Sequence, residues 1–292
     1  MDARLLLMRP LLSLILVYPL VVLGQSSTPP SQSDGLVKRA LAAEMRGAQN
    51  SQHPMRYRLR KSSPRLTTTK DIFETRDGAV ARLMAINDSP LSQVDEQKEQ
   101  ERLGLLLSDP SRQRHRKQTE DEDSNRALKV LRVLPDAFLF DSAGSGDGPA
   151  GKVEKFAFRP NPRFSPPDLE TQVLTAMSGE IWVNSSQERV ERLEGHLTRD
   201  ADIGWGILGR LNKGGWIVIE QADVGDHQWR IVHFKMSMSG RVVFKTKVFD
   251  TTEDETQFAP IAVGLSYQQA IQMLRDGKVD AKRSDRQTAT SK

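Results

Sequence analysis

Between Gly179 and Phe249 apolar and polar positions alternate in short runs broken by Gly and Asx turns, the spacing of strands joined by tight connections. The stretch reads as a β-meander. All four tryptophans, Trp182, Trp205, Trp216 and Trp229, fall inside it. Its later strands do not alternate cleanly: Trp216 and Val218 oppose Ile217 and Ile219, and Trp229 and Ile231 oppose Val232, Phe234, Met236 and Met238. A strand wetted on one side would be polar there, so both faces are expected to be at least partly covered. One face packs helices; the other lines a groove or meets a second layer in an ordinary core. Upstream, Lys152 to Arg159 forms a strand with Phe156 and Phe158 on one face. The groove candidates are Phe156, Phe158, Trp216, Trp229, Phe234, Met236 and Met238, the methionines because a flexible thioether suits an adaptable apolar surface.

Helical spacing occurs in four places. Leu36, Ala40, Leu41 and Met45 predict a short amphipathic helix ending near Gly47. Ser92 with Asp95 opens a helix running to about Leu107, and Asp109-Pro110 opens another. From Ser111 to Arg126 that second helix has no apolar residue and is expected to project into solvent, with only Ala127, Leu128, Leu131 and Leu134 docking and Pro135 ending it. Ser266 caps a last helix with Ala270, Ile271 and Leu274 facing inward. Strands are expected from Met55 to Leu59, Thr67 to Glu74 and Ala79 to Ile86, with Asp77-Gly78 as a hairpin turn. Arg56, Arg58 and Arg60 share one strand face, either a solvated face or an anion site. Gly144 to Gly151 predicts a loop, and the sheet resumes over Thr171 to Met177.

Composition adds the compartment. Met1 to Gly24 carries Arg4 and Arg9 before an apolar run from Leu11 to Leu23, with Val22 and Gly24 where a signal peptidase accepts small residues. The run is short for a bilayer span and contains Pro19, so we expect cleavage before Gln25, no transmembrane span afterwards, and a periplasmic or secreted protein. Cysteine is absent, so lipid anchoring through a cysteine and disulfides are excluded and stability must come from a core. Without the signal, 40 basic residues stand against 37 acidic ones, too even a balance to argue for nucleic acid. The expected division is a signal peptide (1–24), a disordered leader (25–35), one α+β domain (36–277) with a helical insertion (92–134), and a disordered tail (278–292).

Candidate chemistry is sparse. Gly204 to Gly209 satisfies G-x-G-x-x-G but neither follows a core strand nor opens a helix, so its glycines are read as a strand bend. Gly144-Ser145-Gly146 lacks the context of a nucleophile elbow. His196, His227 and His233 have no ligand spacing, and Glu188, Glu191 and Glu194 alternate faces in a strand. Asn184-Ser185-Ser186 matches a glycosylation sequon. No nucleophile, base and orienter can be assembled, so neither catalytic residues, metal nor cofactor is expected.

The segments FAFRPNPRFSPP, GEIWV, RVERLEGHLTRDADIGWGILGRLNKGGW and EQADVGDHQWRI, with NDSPLS and LPDAFLF before them, resemble an uncharacterised family of secreted bacterial proteins over about Ala79 to Leu274. By order of elements alone the chain is also similar to the outer-membrane lipoprotein carriers (LolA-like proteins), although the charged pair of helices from Ser92 to Leu134 is longer than their lid needs. That second resemblance implies a curved half-barrel holding acyl chains against helices. The expected fold is therefore α+β, a curved antiparallel sheet packed on helices with a charged helical hairpin inserted. The expected function is non-enzymatic binding of a lipid, an acylated protein or another hydrophobic partner in the envelope. The alternative is a scaffolding protein that binds an envelope partner through its charged arm. N-terminal sequencing of the exported protein is expected to begin at Gln25; Met1 on membrane-bound material would remove the export argument.

Overall fold

The computed structural model describes residues 32–203, 209–242 and 245–276. The expected signal peptide, most of the expected leader, residues 204–208 of the Gly204–Gly209 motif and the expected tail lie outside them. A helix α1 (Gln32–Ala48) precedes four strands, β1 (Met55–Ser62), β2 (Thr67–Phe73), β3 (Val80–Ile86) and β4 (Ser89–Pro90). Two helices follow, α2 (Gln93–Ser108) and α3 (Pro110–Ala137), then β5 (Phe138–Gly148), β6 (Gly151–Pro160), a 3₁₀ turn (Gln172–Ala176), β7 (Met177–Asn184) and β8 (Arg189–Leu197). The chain continues through β9 (Ala201–Ile203), β10 (Gly209–Leu211), β11 (Trp216–Asp223), β12 (Trp229–Val242) and β13 (Lys245–Pro260) to α4 (Tyr267–Arg275).

All the strands join one curved, unclosed antiparallel sheet in the order β4-β3-β2-β1-β13-β12-β11-β8-β7-β6-β5, with β9 and β10 attached beside β12. The two meanders meet only where β1 pairs with β13, from Met55 opposite Pro260 to Ser62 opposite Thr252. The fold is thus α+β, as the sequence implied.

Residues directly opposite one another share a face, so register separates the two sides. Phe156, Ile181, Leu193, Ile219 and Phe234 form one row across five strands of the inner face. The row then turns ionic at Glu253 and Lys61, whose charged atoms lie 2.6 Å apart. Over β5 to β8 this face is covered by α1 and the last turns of α3: Val37, Ala40 and Leu41 are buried with Phe138, Phe156, Phe158 and Ile181. A second cluster lies at the far end on the opposite, outer face, where Phe73 and Val80 meet Leu103 and Leu106 of α2 and Tyr267, Ala270, Ile271 and Leu274 of α4. Ser266 caps α4 with a complete capping box.

Helix ends obey their local chemistry. Ser92 Oγ accepts from Asp95 N–H, and Asp109 accepts from Ser111 N–H at the start of α3, with Pro110 in its first turn. Pro135 lies inside α3 instead of ending it. Three further expectations are corrected. The Gly144–Gly151 region is strand and tight turn, with a register shift between Ser142 and Ser145 that absorbs the extra residue of β5. Residues 172–176 form a 3₁₀ turn, with the sheet resuming at Met177. The first third of α3 does not project freely: Gln113 is 2% exposed and donates to Asp77 C=O, and Glu120 accepts from Ala79 N–H, both at the β2–β3 turn. A helix with no apolar face can therefore still dock through polar side chains. Residues 118–127 are exposed throughout.

The open edge of β3 is closed by α2. Glu99, 5% exposed, accepts from Leu83 N–H at 2.8 Å, while Arg102 donates to Ala81 C=O and to both Glu99 oxygens. Glu99→Ala strips Leu83 N–H and the half-exposed Arg102 guanidinium of their acceptor at once. We expect a loss of about 2–4 kcal/mol by urea denaturation. Asp121→Ala removes only the exposed pair with Lys117 and is expected to cost under about 1 kcal/mol.

Candidate functional site

The two faces of the central strands differ in what shields them. Lys155, Trp182, Arg192, Glu220, His233, Asp254 and Arg60 follow one another across seven strands of the outer face. Neighbours in this ladder mostly pair. Lys155 Nζ sits 3.8 Å from the Trp182 ring centre, Arg192 bonds Glu220, and His233 Nδ1 lies 2.7 Å from Asp254. Arg58 and Arg60 belong to the same face and are held by Asp71 and Asp88. Trp216 and Val218 also lie here, with Lys235 Nζ 5.3 Å from the centre of the Trp216 ring. Long cationic side chains lie over the aromatic surface with their charges in water, so the outer apolar residues need no second layer.

The inner face is covered only in part in its middle. Ile217, Ile219, Phe234 and Met236 lie side by side there, all half-buried. Toward β8 the row meets Gly195 and Gly179, which have no side chains to add; Phe158 and Met177 lie close over them, each within 3 Å of where a Cβ would stand. Above this floor runs α3, about 42 Å long for its 28 residues. It starts at the β2–β3 turn and ends with Val130, Leu131, Val133 and Leu134 packed on the inner core. The concave side of the curved sheet is thus a shallow trough with an apolar floor, and the middle turns of the helix that joins its two ends are wholly polar.

The far wall of the trough is ionisable. Glu255 is opposite Leu59, and Tyr57 stacks on Phe258 at a ring separation of 5.4 Å. Burial, reinforced by Glu253 and Glu74, pushes the Glu255 carboxyl up to about 7. Burial, with Glu255 next, also raises the Tyr57 phenol well above its usual range. On the neighbouring strand, burial and then Arg102 and Arg116 lower the Lys70 ammonium.

The sequence-derived candidates therefore separate. Phe234, Met236 and Met238 share the inner face, with Met238 leaning on the helix-covered core. Phe156 and Phe158 are on the same face but inside that core. Trp216 is on the opposite face. Trp229 is 7% exposed at the start of β12, in the wall of a separate polar cleft. Sequence reasoning did not single out Ile217 and Ile219, and it missed the Tyr57–Glu255 wall, since only β13, paired with both, brings β1 within one strand of β12.

No protein-family model and no curated protein matches the chain. Among solved structures, a domain described as an outer membrane lipoprotein-sorting protein domain, from Vibrio parahaemolyticus, is 10% identical with a TM-score of 0.28, covering 83% of this chain and 99% of its own. A DUF1329 family protein from Desulfovibrio piger is 11% identical with a TM-score of 0.29, covering 80% and 95%. Likeness at this level carries no argument about function.

Other chemistry considered from sequence is not assembled among the described residues. No group of three metal-ligating side chains forms. Asn184 is fully buried, bonded to Glu191, Ala150 C=O and the N–H groups of Ser186 and Gln187, so the sequon asparagine has no room for a glycan.

Glu255 predicts a pH dependence of stability. The folded chain holds its proton up to about pH 7 and the unfolded chain releases it near 4.5. Between these values the folded state binds more protons, so stability falls as pH rises through that window and levels above it. Glu255→Gln is expected to flatten this fall in urea titrations taken at a series of pH values; an unchanged profile would show that the carboxyl is ordinarily solvated.

Proposed function

We propose that the protein is a non-enzymatic binding protein of the cell envelope that holds an apolar ligand, a lipid or the acyl chain of a lipoprotein, in the trough of its curved sheet. One observation carries this reading. Ile219, Phe234 and Met236 belong to neither core and continue an apolar floor whose edge, Ile217, packs against the first core, and α3 offers no apolar side chain over residues 118–126. Leaving such side chains partly wetted forgoes a share of the roughly 1.5–3 kcal/mol that full burial of each would contribute. An acyl chain fits the vacancy because its contacts are non-directional and the floor presents no hydrogen-bonding side chain. The Tyr57 and Glu255 groups place polar chemistry along one margin only, as amphiphile binding requires. The envelope location rests on the export signal read at the N-terminus.

A fluorescent fatty-acid probe tests this. Phe234→Ala and Met236→Ala, made singly, are expected to weaken probe binding about tenfold, equivalent to 1.4 kcal/mol, with melting temperatures within a few degrees of the parent. Phe156→Ala is the contrasting variant: its ring is buried among α1 and β5, and its loss is expected to cost about 3–5 kcal/mol. A parent protein that binds no probe, together with a Phe234→Ala variant as destabilised as Phe156→Ala, would reduce the trough to core.

A further inference from the structure

A cleft of about 270 Å³ opens between the C-terminal end of α1, the start of β8 and the β11–β12 turn. Its wall includes Arg46, Asn50, Arg189, His227, Trp229 and Arg230, and none of the lining residues is acidic. The guanidinium groups are held without being used up. Arg189 donates through Nε and Nη2 to the two Glu44 oxygens at 2.9 and 2.8 Å, which fixes its plane and leaves Nη1 over. Arg230 uses Nη2 on His53 C=O at 2.8 Å, with Glu74 at 3.4 Å. Arg46 is exposed and has no ion pair among the described residues. Glu44 and Glu74 each hold one of the three arginines, and neither lines the cleft. Asp223 is also near, 3.6 Å from His227. The Trp229 indole, 7% exposed, also forms part of the wall, and its buried Nε1–H has no acceptor among the described residues. Buried indole N–H groups ordinarily have one.

We propose that this cleft is a binding site for a carboxylate or phosphate group. Arginine suits both, since its planar fork matches two acceptor oxygens, and Arg189 is already oriented by Glu44. The site also has a place relative to the trough. Trp229 and Phe234 are on one strand, about 17 Å apart at the rise of an extended chain, so the anion is either the head of an amphiphile lying along the floor or a free ion.

The full chain and its Arg46→Glu variant decide the matter at low salt, where exposed cations act most strongly. Arg46 is at the surface, so its reversal leaves both cores intact. Inorganic phosphate is titrated calorimetrically, and cis-parinaric acid and its methyl ester by fluorescence. We expect phosphate, the acid or both to bind, and Arg46→Glu to weaken that binding about tenfold, as loss of a charge-assisted hydrogen bond does, while leaving the ester unaffected. Preference for the acid over the ester identifies the head of an amphiphile. Phosphate binding without that preference identifies a free anion, and holds even if neither fatty probe binds and the trough reading fails. Equal binding of acid and ester with no response to phosphate overturns the cleft while sparing the trough. Binding of phosphate or acid that is indifferent to Arg46→Glu also overturns it.

Discussion

The pairing of β1 with β13 is the constraint on which the remaining structure depends. Each meander can form its hairpins locally, but neither encloses anything by itself. β13 is 16 residues long, and that length lets it pair with β12 along one edge and with β1 along the other. The ladder joins residues nearly two hundred positions apart, so its loop-closure entropy is offset only when both meanders are formed. It also brings Tyr57 and Leu59 beside the β12 floor and so completes the wall of the trough.

With the sheet joined, its two cores can lie on opposite faces at opposite ends. α1 and the end of α3 cover the inner face over β5–β8, while α2 and α4 cover the outer face over β2 and β3. Between them Ile219, Phe234 and Met236 of the central strands belong to neither core. The outer side chains of these strands are satisfied by the ladder of alternating charges, and the inner side chains remain apolar. The partly covered floor is thus a consequence of offset helices, and no weakness in the strands need be invoked.

Much of the architecture was legible in the sequence. Ser92, Asp109-Pro110 and Ser266 marked helix starts because capping chemistry is local, and Asp77-Gly78 marked its turn for the same reason. The apolar residues on both sides of Trp216 to Met238 were legible too. Their shielding was not, because Lys235 over Trp216 and Arg192 beside Trp182 depend on cross-strand register. The docking of Gln113 was illegible for a related reason: hydrophobic periodicity cannot register a polar side chain buried against a backbone carbonyl. At the candidate site, the sequence indicated Phe234, Met236 and Met238. It could not separate them from Trp216, since a strand pattern states that two residues lie on opposite sides without stating which side is vacant.

The polar middle of α3 sets a timescale. Between its two docked ends it is held by its own i,i+3 and i,i+4 pairs, Lys117 with Asp121, Gln118 with Glu122 and Asp123 with Arg126, each contributing about 0.2–0.5 kcal/mol. A short helix with few tertiary contacts is marginal in water, so these are the turns of α3 least held against opening, a motion that in peptides takes roughly 0.1–1 μs. Opening these turns breaks no contact of either core, since neither takes a side chain from residues 118–127.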